Sequence, residues 1–207
     1  YEGQYTNFDF SKAIHYFTLA VEQNDPKAQF YLGAIYYEGR YINRDINKAI
    51  HYFSLTADQN DPKAQFNLGI IYYEGRYVNR NINKAIYYFS LAAEQNDPEA
   101  QFILGYMYYK GQYINCDINK AIHYFSLAAD QNHQNAQFYL GVIYNEGRYI
   151  NRNINKAIHY FSLAADQNDS VAQFNLGYMY YEGQYTNFDI SKAIHYFTLA
   201  ADQNDPK

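Results

Sequence analysis

The stretch DPKAQFYLGAIYYEGRYINRDINKAIHYFSLTADQN, Asp25 to Asn60, decides the fold. Asp25-Pro26 is a helix start, because the carboxylate accepts hydrogen bonds from the free amides of a first turn and proline is tolerated at the first helical position. Behind it, Ala28, Leu32, Ile35 and Tyr36 fall on one face at helical spacing. Gly39 can adopt the positive φ that commonly ends a helix. After the loop RYINR, Asp45 caps a second helix, with Asn81 and Asn153 at the same place further on. The apolar face of that helix is Ile46, Ala49, Ile50, Phe53, Thr56 and Ala57, and Asn60 is the non-glycine residue best suited to a left-handed end. Each helix spans about 13 or 14 residues, too short to persist alone in water. Neighbours must stabilise it.

Working outward, the same stretch recurs through the chain. Gly33, Gly69, Gly105, Gly141 and Gly177 are 36 residues apart, as are Gly3, Gly39, Gly75, Gly111, Gly147 and Gly183. Lys12, Lys48, Lys84, Lys120, Lys156 and Lys192 keep the period, each followed by Ala-Ile. The 207 residues hold about 5.75 units with no insertion or deletion, so residues 1–207 read as a single array. Each unit cannot bury its own apolar face and needs the next. Gly33 and Ala49 are expected where facing helices approach to the short end of about 8–10 Å. Phe30, Tyr36, Tyr52 and Phe53 should supply most of the buried area, at roughly 1.5–3 kcal/mol per ring. The expected fold is all-α, a right-handed superhelical solenoid with one concave face. Glu2–Ala20 matches Glu182–Ala200 except that Phe10 becomes Ile190, and Asp205-Pro206-Lys207 reads as another helix start. Both features point to a fragment of a longer array built from five-repeat blocks.

The pattern Ala28, Leu32-Gly33, Tyr36, Gly39, Lys48-Ala49, Tyr52-Phe53 and Thr56-Ala57 resembles the Sel-one-like repeat, a longer relative of the tetratricopeptide repeat. The resemblance covers the whole chain, roughly six times over. Tyr52 stands where the family usually has Trp, and Asn60 near where it has Gly; another large aromatic and a residue tolerant of positive φ are physical substitutes. The paired cysteines of secreted members are absent. The resemblance implies scaffold and adaptor roles in complex assembly, without naming a partner.

Composition narrows the classes. A net charge of −5 argues against non-specific nucleic-acid binding, which needs clustered Lys and Arg, and against an RNA-reading array of the pentatricopeptide kind. Hydrophobic residues at 48% suffice for a packed core. No apolar run approaches the roughly 18 residues of a membrane span, so no membrane insertion is expected. Cys116 is the only cysteine, which rules out an intrachain disulfide and fits a cytoplasmic setting. Tyr1 is not an initiator Met, so a leader could lie upstream.

Catalytic, metal and cofactor chemistry finds no support. His15, His51, His123, His159 and His195 form a ladder broken by Tyr87, but rungs about 8–10 Å apart cannot share one ion. His133 replaces an Asp and reads as local drift. Cys116 lies in a loop where Arg44, Arg80 and Arg152 occur elsewhere, with no base evident beside it. Asp58, Glu94 and Asp130 late in second helices form a solvated face rather than an acid/base pair. The glycines follow helices, so no phosphate-binding loop is present. Asn168-Asp169-Ser170 fits a glycosylation triplet by chance in an Asn-rich chain.

The units differ mainly on their first helices. One row reads Tyr31, Asn67, Ile103, Tyr139, Asn175; the next reads Ala34, Ile70, Tyr106, Val142, Tyr178. The following turn reads Tyr37, Tyr73, Tyr109, Asn145, Tyr181, then Glu38, Glu74, Lys110, Glu146, Glu182. By resemblance to tetratricopeptide arrays, first helices line the concave groove, and all but the first of these rows are expected to face it. Tyrosine offers contact area and a hydroxyl at little entropy cost. The expected function is a non-enzymatic scaffold or adaptor that binds a protein or peptide there. The alternative is an architectural filament or ruler that associates end to end.

Overall fold

The computed structural model describes residues 10–40, 42–183 and 188–203. Gly3 and the Asp205-Pro206 helix start lie outside the described residues. The first helices of the repeats are α2 (Pro26–Glu38), α4 (Pro62–Glu74), α6 (Pro98–Lys110), α8 (Gln134–Glu146) and α10 (Ser170–Glu182). The second helices are α1 (Phe10–Glu22), α3 (Ile46–Ala57), α5 (Ile82–Glu94), α7 (Ile118–Asp130), α9 (Ile154–Asp166) and α11 (Ile190–Asp202). No strand occurs among the described residues. The chain forms two compact units, Tyr1–Asp97 with α1 to α5 and Pro98–Lys207 with α6 to α11.

The helix ends form as local chemistry dictates. Asp25 and Asp61 accept from Ala28 N at 2.7 Å and Ala64 N at 2.8 Å, ahead of Pro26 and Pro62. Asp45, Asn81, Asp117, Asn153 and Asp189 each accept from the amide of the repeated lysine at 3.0 Å. Gly39, Gly75 and Gly147 close their helices in the left-handed region. Asn60 (φ 71°) and its equivalents Asn24, Asn96, Asn132 and Asn168 do the same after second helices. There Asn60 N donates to Ala57 O and Asp61 N to Thr56 O, which satisfies carbonyls a helix end would otherwise leave free.

In unit 1 the paired helices α2–α3 and α4–α5 stack, with α1 against α2 and α3 against α4. In unit 2, α6–α7, α8–α9 and α10–α11 stack, with α7 against α8 and α9 against α10. At Gly33 and its equivalents the nearest atoms of the paired helix belong to a Phe ring. A Cβ on Gly33 would lie 2.7 Å from the Phe53 ring, and one on Gly105 or Gly141 would meet Phe125 or Phe161 at 2.7 or 2.5 Å. Phe53, Phe89, Phe125 and Phe161 are accordingly buried, and Ala49, Ala85, Ala121 and Ala157 are buried beside them. Tyr36 and Tyr52 are only half-buried. They stack at 5.9 Å with 12° between planes, and Lys48 Nζ lies 4.8 Å from the Tyr36 ring.

A buried amide ladder accompanies this core. Gln29, Gln65, Gln101, Gln137 and Gln173 are at most 1% exposed. Gln65 Nε2 donates to Ala57 O at 3.3 Å, and Gln65 Oε1 accepts from Gln95 Nε2 at 2.7 Å. One side chain thus ties the end of α3 to α4 and to the end of α5. Gln137 repeats this between Ala129 O and Gln167, and Gln173 between Ala165 O and Gln203. Polar spacing does not announce these residues as core; the need to satisfy buried carbonyls explains them.

Candidate partner-binding face

The variable rows of the first helices carry the residues expected to bind. In unit 1, Ala34, Ile70, Tyr37, Tyr73 and Glu74 are half-buried and Glu38 is exposed. Ala34 and Tyr37 pack on the core around Phe53, and the Tyr73 ring meets Phe89 at 6.3 Å. Burial, then the carboxylate of Glu74, pushes the Tyr37 phenol above its ordinary value, against an opposing pull from Arg76 and Arg44. The carboxylate of one repeat therefore stands beside the tyrosine of the one before.

In unit 2, Tyr106, Tyr109, Val142 and Asn145 are half-buried, while Lys110, Glu146, Tyr178, Tyr181 and Glu182 are exposed. Tyr178 and Tyr181 are 51% and 53% exposed, and the Tyr178 hydroxyl is bonded to Glu182, which raises its pKa first. Burial and then Glu146 raise the pKa of Tyr109, whose ring lies 6.5 Å from Phe125. Tyr139 joins this group, although its row is not one of those expected to face a groove. Its ring lies 5.4 Å from Tyr106, 5.6 Å from Tyr109 and 5.5 Å from Phe125, nearly parallel to the last. The signal was weak because its row is chemically mixed. Asn67 and Asn175, at the same register, bond back to Lys63 O and Val171 O of their own helices.

The sequence of six matches to the Sel1 repeat model, at residues 1–25, 26–61, 62–97, 98–133, 134–169 and 170–205, runs nearly the full length. The chain belongs to the Sel1 repeat family. Its fold is accordingly an all-α solenoid of 36-residue helix-turn-helix repeats. A Sel1 repeat protein from Oxalobacter formigenes is 34% identical with a TM-score of 0.77, over 88% of this chain and 74% of that one. A protective antigen of uropathogenic Escherichia coli with this fold is 30% identical with a TM-score of 0.88, over 95% of this chain and 42% of that one. The chain thus spans less than half the length of that antigen. The immunity protein Pa5087 of Pseudomonas aeruginosa, at 22% identity and a TM-score of 0.53, shares the fold alone. No protein of curated function matches. Sel1 repeats commonly serve protein interaction.

His15, His51, His123, His159 and His195 are exposed, each ring set against the next tyrosine, as with His51 and Tyr52 at 5.2 Å. No group of three metal-ligating side chains forms among the described residues, and no described helix is long and apolar enough to cross a membrane. Cys116 is exposed, with Sγ 3.6 Å from Tyr109 O. His133 corrects its reading as drift. It caps α8, its Nδ1 accepting from Ala136 N at 3.2 Å, while Nε2 lies 3.3 Å from Glu99 Oε2 and the ring stacks on Phe102 at 4.7 Å. That pair of contacts requires the proton on Nε2. A second acceptor type does the work of the Asp found elsewhere.

Proposed function

We propose that this chain is a non-catalytic scaffold that holds a protein segment on the first-helix face of unit 2. The supporting observation is a contrast within each repeat. The Gly–Phe and Gln frame recurs unchanged, while the rows beginning Ala34 and Tyr37 change from repeat to repeat and leave tyrosines such as Tyr106 and Tyr109 only half-buried. Half-exposed tyrosine supplies contact area with a polar tip and loses few rotamers on binding. The Tyr106→Ala, Tyr109→Ala double variant should lose partners captured by the wild-type chain from its native cell, with helical circular dichroism unchanged. Equal capture by both proteins would remove this face from the account.

A second reading, an architectural element that packs end to end, draws on the constancy of the repeats, whose Gly–Phe and Gln frame recurs every 36 residues. Concentration-dependent sedimentation of the whole chain would favour this reading over the first.

A further inference from the structure

Along the last turns of the first helices, the charged register reads Glu38 and Glu74 in unit 1 and Lys110, Glu146 and Glu182 in unit 2. The reversal at Lys110 comes with a second change in the same repeat. Cys116 stands where the neighbouring loops have Arg44, Arg80 and Arg152. Those arginines are engaged at their own helix ends: Arg44 donates to Glu38 O at 2.9 Å, Arg80 to Glu74 O at 3.2 Å, and Arg152 to Asn145 Oδ1 at 3.0 Å. In the third first-helix the cation has moved from the loop onto the outer face. Lys110 Nζ lies 5.5 Å from the Tyr106 ring centre and 5.3 Å from that of Tyr109, and makes no ion pair among the described residues.

Tyr106, Tyr109 and Tyr139 form a half-buried aromatic floor, with the exposed ammonium at its edge. Glu146 and Arg148 act on Tyr109 in opposite directions. An ammonium over aromatic faces keeps its outward N–H groups free, and a nearby apolar floor strengthens its attraction for an anion. The ammonium itself repels a basic group and attracts an acidic one.

We infer that this patch anchors an acidic residue of an extended peptide, its carboxylate on Lys110 and an adjoining apolar or aromatic side chain on Tyr106, Tyr109 and Tyr139. This rests on the reading of the first-helix faces as the binding surface. A displayed library of random seven-residue peptides, panned at low salt against the whole chain and against Lys110→Glu and Lys110→Gln, tests it. Wild-type selections should be enriched in Asp or Glu next to an aromatic or aliphatic residue, and both variants should lose that enrichment. A selected peptide should bind Lys110→Glu roughly five- to tenfold more weakly by fluorescence anisotropy, and added salt should narrow the gap. Lys110→Gln keeps the test valid if charge reversal disturbs the end of α6. Equal acid content in all selections, or undiminished binding of an acidic peptide to both variants, overturns the anchor while leaving the first-helix surface standing. Failure of any peptide to enrich on the wild-type chain overturns that surface and the anchor with it.

Discussion

The interior and the outer first-helix face of each repeat share one backbone but obey different constraints. Inside, Gly105 lets the Phe125 ring approach, and the same pairing recurs as Gly33–Phe53, Gly69–Phe89, Gly141–Phe161 and Gly177–Phe197. Outside, the equivalents of Tyr106 are Ala34, Ile70, Val142 and Tyr178. Close packing allows the first set almost no freedom, since a methyl in the wrong place has nowhere to go. The second set is only half enclosed, so its chemistry can change without cost to the stack. Fold and recognition are thereby carried by separate residues on the same helices.

The sharpest way to break the contrast is Phe125→Ala, which should cost about 3–5 kcal/mol through the cavity it leaves. Tyr178→Ala should stay within roughly 0.5 kcal/mol, because that ring is half in water. Chemical denaturation of the two variants compares them directly, and similar losses would contradict the division. Gln137→Leu should come next, at about 1–3 kcal/mol, by leaving Ala129 O and the Gln167 amide short of a partner. His133→Ala should cost about 1 kcal/mol as a lost cap, with His133→Asp restoring it; equal stability of all three proteins in denaturant would show that the cap contributes nothing.

The smallest effect is alkaline. Burial holds the phenols of Tyr37, Tyr109, Tyr139 and Tyr160 above the ordinary tyrosine value, so the fold favours their neutral forms. Their contribution is present below the unfolded value of about 10 and is lost as pH rises through the folded values. Thermal unfolding should therefore shift downward above pH 10, and less so in Tyr109→Phe. An unchanged midpoint across that range would show that these rings are not enclosed.

Much of this was legible in advance. The period of 36, the Asp-Pro starts, the Gly39 and Asn60 ends and the apolar faces are local signals, and each helix end appears where its capping residue stands. The outer rows were legible as variable positions, because a constant frame makes change visible. Three features were not. Gln29 and its equivalents look like surface residues until the carbonyls they satisfy are seen. His133 looks unpartnered because Glu99 and Phe102 lie a whole repeat away in sequence. Tyr139 reads as one member of an irregular row until Tyr106 and Tyr109 are found beside it.

Short-range physics let the sequence determine helices, turns, period and family, because capping, left-handed turn residues and 3.6-residue spacing act within a few positions of each other. Which polar groups are buried and which aromatic rings meet were decided by tertiary structure. Those depend on partners far apart in sequence, such as Gln65 with Gln95, Tyr106 with Tyr139 and Glu99 with His133, and the stacking of one repeat on the next brings them together.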